Sequence, residues 1–457
     1  MSTAYRSDFK GLDFMLESTY GAANTNDIAR TGVTYSASGD NYQASATKKV
    51  FARLAAPPSG MPSFELIPVN HVKQTHQFEY KRVKGLKSAG TLTLQFHLHG
   101  AYIAGNIPYA PPWMQLLSSM PGFLVPGQAK TTVAVSASPL DFNLDGGTLD
   151  AGLVCLVEAP GTSTKNEFFR VKEHATAVSV DDASVPVSDG PDIADPVHFP
   201  TTFFCDERED GSQATAPTTA GTKSFCLLLH SSKAESAVIV RGFRVNSIKI
   251  TDNVGELGMV ELTGDFSSWD SKEASSSDAW ADYTTIAMTE NAGASLADAT
   301  NYDTIWPAPE VCKDAEFATG AASRTSTAVS GIEFNLTAGL QKFMANTGSE
   351  GVADMLATGE MSCSLAFSAL YDKTFRTYLD STSTDAPPLI YQRGTAAGKF
   401  VAIHIAQPVL LEDPGFEGEV DGNQGQQISY GCGEYTGDDA DYAAGTAANH
   451  RVSISLA

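Results

Sequence analysis

The chain has 457 residues, of which 18% are charged, and a formal net charge of −23. This length exceeds one typical hydrophobic core, so two or three domains are expected. No apolar run is long enough for a transmembrane helix, and the first residues lack the apolar stretch of a secretory signal, so we expect folding in a cytoplasm. The acidity disfavours ordinary DNA binding, which neutralises phosphates, but it suits a surface past which DNA slides.

Cysteine usage points away from disulfide and zinc frameworks. The six cysteines are scattered and form no Cys-x-x-Cys pair. We therefore expect small, mostly buried apolar side chains, as for Cys363 on the apolar face of a strand pattern.

Strand patterns dominate the first part of the chain. A first strand is predicted from Gly11, and the polar residues 24–60 indicate a long loop or arm. In residues 91–100 apolar and polar residues alternate, which predicts a half-buried strand. A short helix is then predicted from Pro111-Pro112 to Pro121, because proline is tolerated in a first helical turn.

A hairpin at residues 238–266 is the clearest element of the chain. In its second strand Glu261, Thr263 and Asp265 share the polar face. The apolar phase of its first strand slips between Val245 and Ile248, which predicts a β-bulge. Residues 123–225, before this hairpin, are rich in Pro, Asp, Ser and Gly and are predicted to be an insertion of loops and short strands.

The last part of the chain repeats the order of the first. Strands are predicted from Ile332, Met361, Phe400 and Gln427, with a short helix at 372–379. They follow the order of the strands predicted from Ser63, Thr91, Val238 and Met259 and of the helix at Trp113. Such self-similarity predicts a duplicated unit, although β-rich stretches also align by chance when gaps are allowed.

Motifs for catalysis or metal binding are weak. We find no nucleophile elbow, zincin motif, phosphate loop or dinucleotide fingerprint. His97 and His99 share a strand face but lack a nearby third ligand. The Asp141-x-Asn143-x-Asp145 run resembles half a calcium loop, yet Gly152 stands where a bidentate Glu is needed, which favours a simple turn.

Several stretches resemble the tail tube proteins of long-tailed, siphophage-like viruses. The family's Gly-led strand, turn and second strand are similar to Arg241–Ile250 followed by Val260–Phe266. Its short helix beside the sheet is similar to the segment at Trp113–Leu117, and Gln407–Leu411 with the strand at Ile428 is similar to the same hairpin in a second unit. The resemblance covers most of residues 60–120, 225–266 and 331–457.

The resemblance implies a mainly β protein with two tandem tail-tube-like domains. Each would be a β-sandwich or half-barrel with a short flanking helix, and the domains would assemble into rings. Residues 1–290 would be the first domain, with the loop at 24–60 and the insertion at 123–225; residues 291–330 would be a connector, and residues 331–457 the second domain.

The same resemblance implies a structural virion protein without catalysis or cofactor. It would be made in the host cytoplasm and located in the virion tail, where trimers with pseudo-sixfold symmetry would stack, contact other tail proteins and pass viral DNA without specific binding. Glu261, Thr263 and Asp265 would face an acidic channel. The alternatives are another tail or head protein (a terminator, a distal tail ring or a decoration protein) and a carbohydrate-active β protein.

Overall fold

The computed structural model is mainly β and also contains a 3-10 helix. The described residues are 11–21, 28, 32–36, 43–62, 64–72, 78–87, 89–100, 102–104, 107–135, 141–144, 154–157, 167–174, 178–180, 196–205, 223–230, 236–253, 256–273, 312–318, 324–327, 329–344, 352–357, 361–370, 389–393, 400–412, 419–420, 423–433 and 450–456.

The strands follow one another along the whole described chain. In the first part they are β1 (Gly11–Leu16), β2 (Thr34–Tyr35), β3 (Lys48–Arg53), β4 (Ala56–Ser59), β5 (Phe64–Val72), β6 (Phe78–Lys87), β7 (Gly90–His97), β8 (Tyr102–Ala104), β9 (Ile107–Tyr109), β10 (Gly122–Val125), β11 (Gln128–Val135), β12 (Asp141–Leu144), β13 (Val154–Val157), β14 (Glu167–His174), β15 (Val178–Val180), β16 (Pro196–Phe199), β17 (Thr201–Cys205), β18 (Phe225–His230), β19 (Ser236–Asn253), β20 (Met259–Phe266) and β21 (Ser268–Glu273). In the second part they are β22 (Cys312–Ala318), β23 (Arg324–Thr327), β24 (Val329–Thr337), β25 (Leu340–Met344), β26 (Val352–Ala357), β27 (Ser362–Leu370), β28 (Leu389–Arg393), β29 (Val401–Ile405), β30 (Pro408–Leu410), β31 (Glu419–Val420), β32 (Asn423–Cys432) and β33 (Val452–Leu456).

One series of antiparallel pairings occurs twice. In what we call unit 1, the neighbours are β3-β1-β18-β19-β21, and β19 also continues into β20-β7-β4. In unit 2 they are β23-β22-β28-β29-β33. The strand that follows β29 in the chain, β30, then continues into β32-β27-β24, so β29 and β30 together correspond to β19. Each unit also inserts a hairpin between the matching strands, β5-β6 in unit 1 and β25-β26 in unit 2. The pairing therefore matches β24 with β4, whereas the predicted repeat matches the strand at Ile332 with the strand at Ser63.

The two units are joined edge to edge. The second half of β19 pairs with β24, from Ser247 opposite Thr337 to Asn253 opposite Gly331. As a result, strands of both units belong to one 14-stranded sheet. Strands on either side of this junction bury their apolar side chains in the same core, among them Ile250 and Phe334.

Three segments contain more regular strand structure than predicted. The predicted loop 24–60 contains β2, β3 and β4, and the predicted connector 291–330 contains β22 and β23. Within 123–225, strands β11, β12, β15, β14, β13 and β16 form a closed barrel, so the insertion is more regular than its composition indicated. β17 lies beside β33 in a 7-stranded sheet that also holds β29 and β28. The first residues of the calcium-like run, Asp141–Leu144, form a strand in place of the predicted turn.

The helix after β7 is a 3-10 helix, Pro112–Ser119. It begins where predicted, directly after Pro111, and its side chains Trp113, Leu116 and Leu117 are buried in the core. The helix predicted at 372–379 and the side chains of Cys155 and Cys312 lie outside the described residues.

The bulge predicted between Val245 and Ile248 is confirmed. The register of β19 against β20 shifts between Val245 and Ser247, which leaves Asn246 without an opposite residue. The backbone N–H of Val245 donates to Oγ of Ser119 at 2.9 Å, so the helix satisfies a donor at the bulge.

Candidate functional site: the polar face of the shared sheet

The strands β7, β20, β19, β24, β27 and β32 bury one face and present a polar face on the other. Alternation puts Leu94, Leu262 and Ile248 in the core and puts their neighbours along each strand on the opposite face. That polar face consists mainly of hydroxyl and amide side chains: Thr91, Thr93, Gln95, Ser247, Thr251, Thr263, Asn335, Thr337, Ser362, Ser364, Ser368, Gln427 and Ser429.

The three predicted site residues lie on this face and are bonded to β7. Gln95 Nε2 donates to Oε2 of Glu261 at 2.9 Å, and Thr91 Oγ1 donates to Oδ1 of Asp265 at 2.6 Å. The hydroxyls of Thr93 and Thr263 lie 3.1 Å apart. Glu261 and Thr263 are half-buried, whereas Asp265 is only 9% exposed. Of the three, Glu261 is therefore the side chain best placed to present charge to a molecule on this face.

Residues of β19 that the sequence analysis did not select complete the face at the junction of the units. Lys249 Nζ lies 3.0 Å from Oε1 of Glu333, which joins the two units by an ion pair across β19 and β24. Hydrogen bonding from Asn335, and then from Lys249, lowers the pKa of Glu333. Lys249 follows the same alternation as Glu261, so the period of two could have identified it.

The bulged residue Asn246 holds the start of the unit 2 hairpin. Its carbonyl oxygen accepts from the N–H of Ala338 at 2.7 Å, and its side-chain Oδ1 accepts from the N–H of Leu340 at 3.0 Å. The bulge therefore turns one residue of unit 1 into a double acceptor for unit 2.

A buried ion pair locks the same junction from the core side. Asp252 at the end of β19 is fully buried and accepts hydrogen bonds from Tyr391 Oη at 2.8 Å and from Arg393 Nη1. Both donors belong to β28 of unit 2. A buried carboxylate needs such partners because its desolvation is costly.

The strand β30 is the counterpart in unit 2 of the second half of β19, the half that pairs with β24. In the described chain, β30 pairs only with β32. The N–H of Leu411 donates to Ser429 and the carbonyl of Gln407 accepts from Gly433, so the odd-numbered residues bond to β32. By alternation, the N–H and C=O of Leu410 point to the open side. Val409 and Leu411 are 47% and 57% exposed on the face where β19 carries Ser247 and Lys249.

The strand β4 is the counterpart in unit 1 of β24, and in the described chain it pairs only with β7. Its residues Pro57 and Pro58 lack backbone N–H groups but keep their carbonyl oxygens. The unit 1 edge therefore offers acceptors and few donors.

The two histidines of the rejected metal site line one small cavity beside Trp113 but differ in burial. His97 is half-buried on the polar face, whereas His99, beyond the end of β7, is buried. Burial lowers the pKa of His99 to about 4, partly offset by its hydrogen bond to the Gly100 carbonyl. No group of three or more metal-binding side chains occurs among the described residues. In that same part of the chain, no helix is long and apolar enough to cross a membrane.

The chain matches no protein-family model and none of the curated proteins with which it was compared.

Proposed function

We propose that this protein is a structural component of a phage tail tube, and that copies join edge to edge into rings that stack around a DNA channel. The observation that carries the proposal is the junction between β19 and β24. It already joins a unit 1 edge to a unit 2 edge within one chain, while the equivalent edge strands β30 and β4 each have a partner on one side only in the described residues.

The same pairing between copies would place β30 of one chain beside β4 of the next. Such a contact is heterologous, because it joins two different surfaces, and repeated contacts of this kind close into a ring when the rotation allows. Each chain supplies two units, so three copies would give a ring of pseudo-sixfold symmetry. Closure would also cover edges that otherwise favour uncontrolled strand pairing.

The chemistry of the two edges supports this pairing. The outward N–H of Leu410 needs an acceptor, and the carbonyls of Pro57 and Pro58 on β4 are of that kind. The side chains of Val409 and Leu411 form an apolar pair on an otherwise polar face, which a neighbouring copy would partly cover.

The polar face would line the channel. Most of its side chains carry hydroxyl or amide groups, so the face presents few cations to DNA phosphates. The described charged side chains in the middle of the face are Lys249, Glu261, Asp265 and Glu333. The carboxylates are already hydrogen-bonded to neighbouring side chains. A channel wall of this kind would repel DNA phosphates or leave them unbound, as DNA needs in order to pass without binding.

The decisive experiment removes the outward N–H of β30. Leu410→Pro deletes this donor, and Leu410→Ala is the matched control because it loses the same packing but keeps the N–H. We expect rings or tubes from the wild type and Leu410→Ala by negative-stain electron microscopy, and only monomers from Leu410→Pro, with a thermal stability close to that of Leu410→Ala. The proposal fails if the wild type forms only monodisperse globular particles at every concentration.

The channel assignment has a separate test. Glu261→Lys reverses a charge on the polar face without burying it, whereas a lysine at Asp265 would be nearly buried. We expect virus particles carrying Glu261→Lys to assemble normal tails but to release DNA more slowly. Unchanged release, with position 261 labelled from outside the tube, would place this face elsewhere. The number of copies per particle separates a tube protein, which is abundant, from a scarce terminator or distal ring protein.

A further inference from the structure

Four sulfur-bearing side chains lie close together where β17 packs against unit 2. Cys205 of β17 and Cys363 of β27 are buried, Met361 precedes β27, and Cys432 at the end of β32 packs against the same core. Cys205 Sγ lies 2.9 Å from Sδ of Met361.

Within this cluster, Cys363 and Cys432 face each other across two antiparallel strands. Ser364 pairs with Gly431, so the next positions toward the strand ends are Cys363 and Cys432. Directly opposite residues have Cβ atoms about 4.5–5.5 Å apart, and a disulfide needs about 3.5–4.5 Å, so a small approach suffices. The hydrogen bond with Cys432, and then burial, raise the pKa of the Cys363 thiol well above its usual range.

We propose that Cys363 and Cys432 are a redox modification site, at which a small disulfide such as oxidised glutathione forms a reversible cross-strand disulfide. The bond would tie β27 to β32, the strand on which the open edge β30 rests. The inference does not depend on ring assembly, because both cysteines belong to one chain.

The two cysteines have different roles in the reaction. Cys432 is the more exposed and attacks first as its thiolate, displacing one glutathione thiolate and forming a mixed disulfide. The Cys363 thiolate then attacks the Cys432 sulfur and displaces the second glutathione. Two protein thiols thus lose two electrons and two protons, and the oxidised glutathione becomes two glutathione thiols.

The test treats the full chain with oxidised glutathione and follows intact mass and peptide maps. We expect the loss of two hydrogen atoms per chain, one linked peptide pair containing Cys363 and Cys432, and full reversal by dithiothreitol. Because closure needs the Cys363 thiolate, its rate should rise with pH up to the raised pKa of that thiol.

Three substitutions make the outcome decisive. Cys363→Ser should stop at a mixed disulfide on Cys432, and Cys432→Ser should react at neither position. Cys226→Ser, in a separate small core cluster, should behave as the wild type. A bridge from Cys205 to either cysteine, a stable mixed disulfide in the wild type, or no reaction in the folded chain would overturn the proposal.

Discussion

The covered edge of unit 1 and the open edge of unit 2 hold the same place in a repeated pairing pattern, but their chemistry differs. On the covered edge, β19 presents Ser247 and Lys249 to β24, and Asp252 binds Arg393 beneath the sheet. On the open edge, β30 presents Val409 and Leu411. The contrast teaches that the two edges are not interchangeable, because the polar and charged groups of the covered edge have no equivalent at Val409 and Leu411 on the open edge.

The largest effect is expected from breaking the buried lock of the covered edge. Asp252→Ala leaves the Arg393 guanidinium buried without its carboxylate, which costs about 3–5 kcal/mol of unfolding free energy. Chemical denaturation measures this loss. Adding Arg393→Met should recover much of it because no buried charge remains, and an unaltered stability in Asp252→Ala would show that the lock contributes nothing.

The next largest effect is expected from acid, which should lower the stability of the chain through His99, the histidine that follows β7 in unit 1. Its pKa of about 4 lies below the usual 6.5, so the unfolded chain takes up a proton first on acidification. The stability contributed by neutral His99 is therefore present above pH 6.5 and lost as the pH falls toward 4, on the order of 3 kcal/mol.

The variant His99→Asn isolates this contribution. It keeps a donor for the Gly100 carbonyl but cannot titrate, so its stability should change less than that of the wild type between pH 6.5 and 4. Denaturation curves measured at several pH values for both proteins compare the slopes. Equal slopes would mean that His99 takes up its proton over the same pH range in the folded and the unfolded chain.

A smaller loss is expected at the bulge that attaches unit 2. Asn246→Ala removes the side-chain acceptor of the Leu340 N–H, which leaves a part-buried donor unpaired and costs about 1–3 kcal/mol. The matched control is Asn335→Ala, because that amide bonds Glu333 at the exposed surface. Thermal unfolding of both variants should show a clear loss for the first only.

The smallest effect is expected from the surface ion pair. Lys249 and Glu333 have side chains that are 42% and 48% exposed, so Lys249→Ala should change stability by less than about 1 kcal/mol. The change should shrink further in concentrated salt, which screens exposed charges. A large effect that resists salt would show that the polar face, and not only the core, fixes the junction.

Much of the central sheet could be predicted from alternation alone. Leu94, Leu262 and Leu365 each belong to a run in which every second residue is apolar, and each of these runs forms a strand. The phase slip near Val245 predicts the position of the bulge. The site residues Glu261 and Thr263 were assigned to the polar face by the same reasoning.

Other parts could not be predicted because their signals are short or distant. The strand β4 has four residues and contains two prolines, a composition that predicts a loop. The barrel pairs its strands out of chain order, as β12 with β15, which no local pattern encodes. Asp252 and Arg393 are 141 positions apart, so nothing near either residue reveals the other.

The covalent connection between the units has a consequence for the accuracy of assembly. If rings form through β30 and β4, every second junction is the β19–β24 pairing, already made inside a chain. A growing ring can then gain or lose units only as a whole chain, so a ring with a single unit too many or too few cannot form. The nearest wrong ring differs by a complete chain and bends every junction further from its preferred angle. Fusing two units would thus act as a counting device that improves the uniformity of the bore.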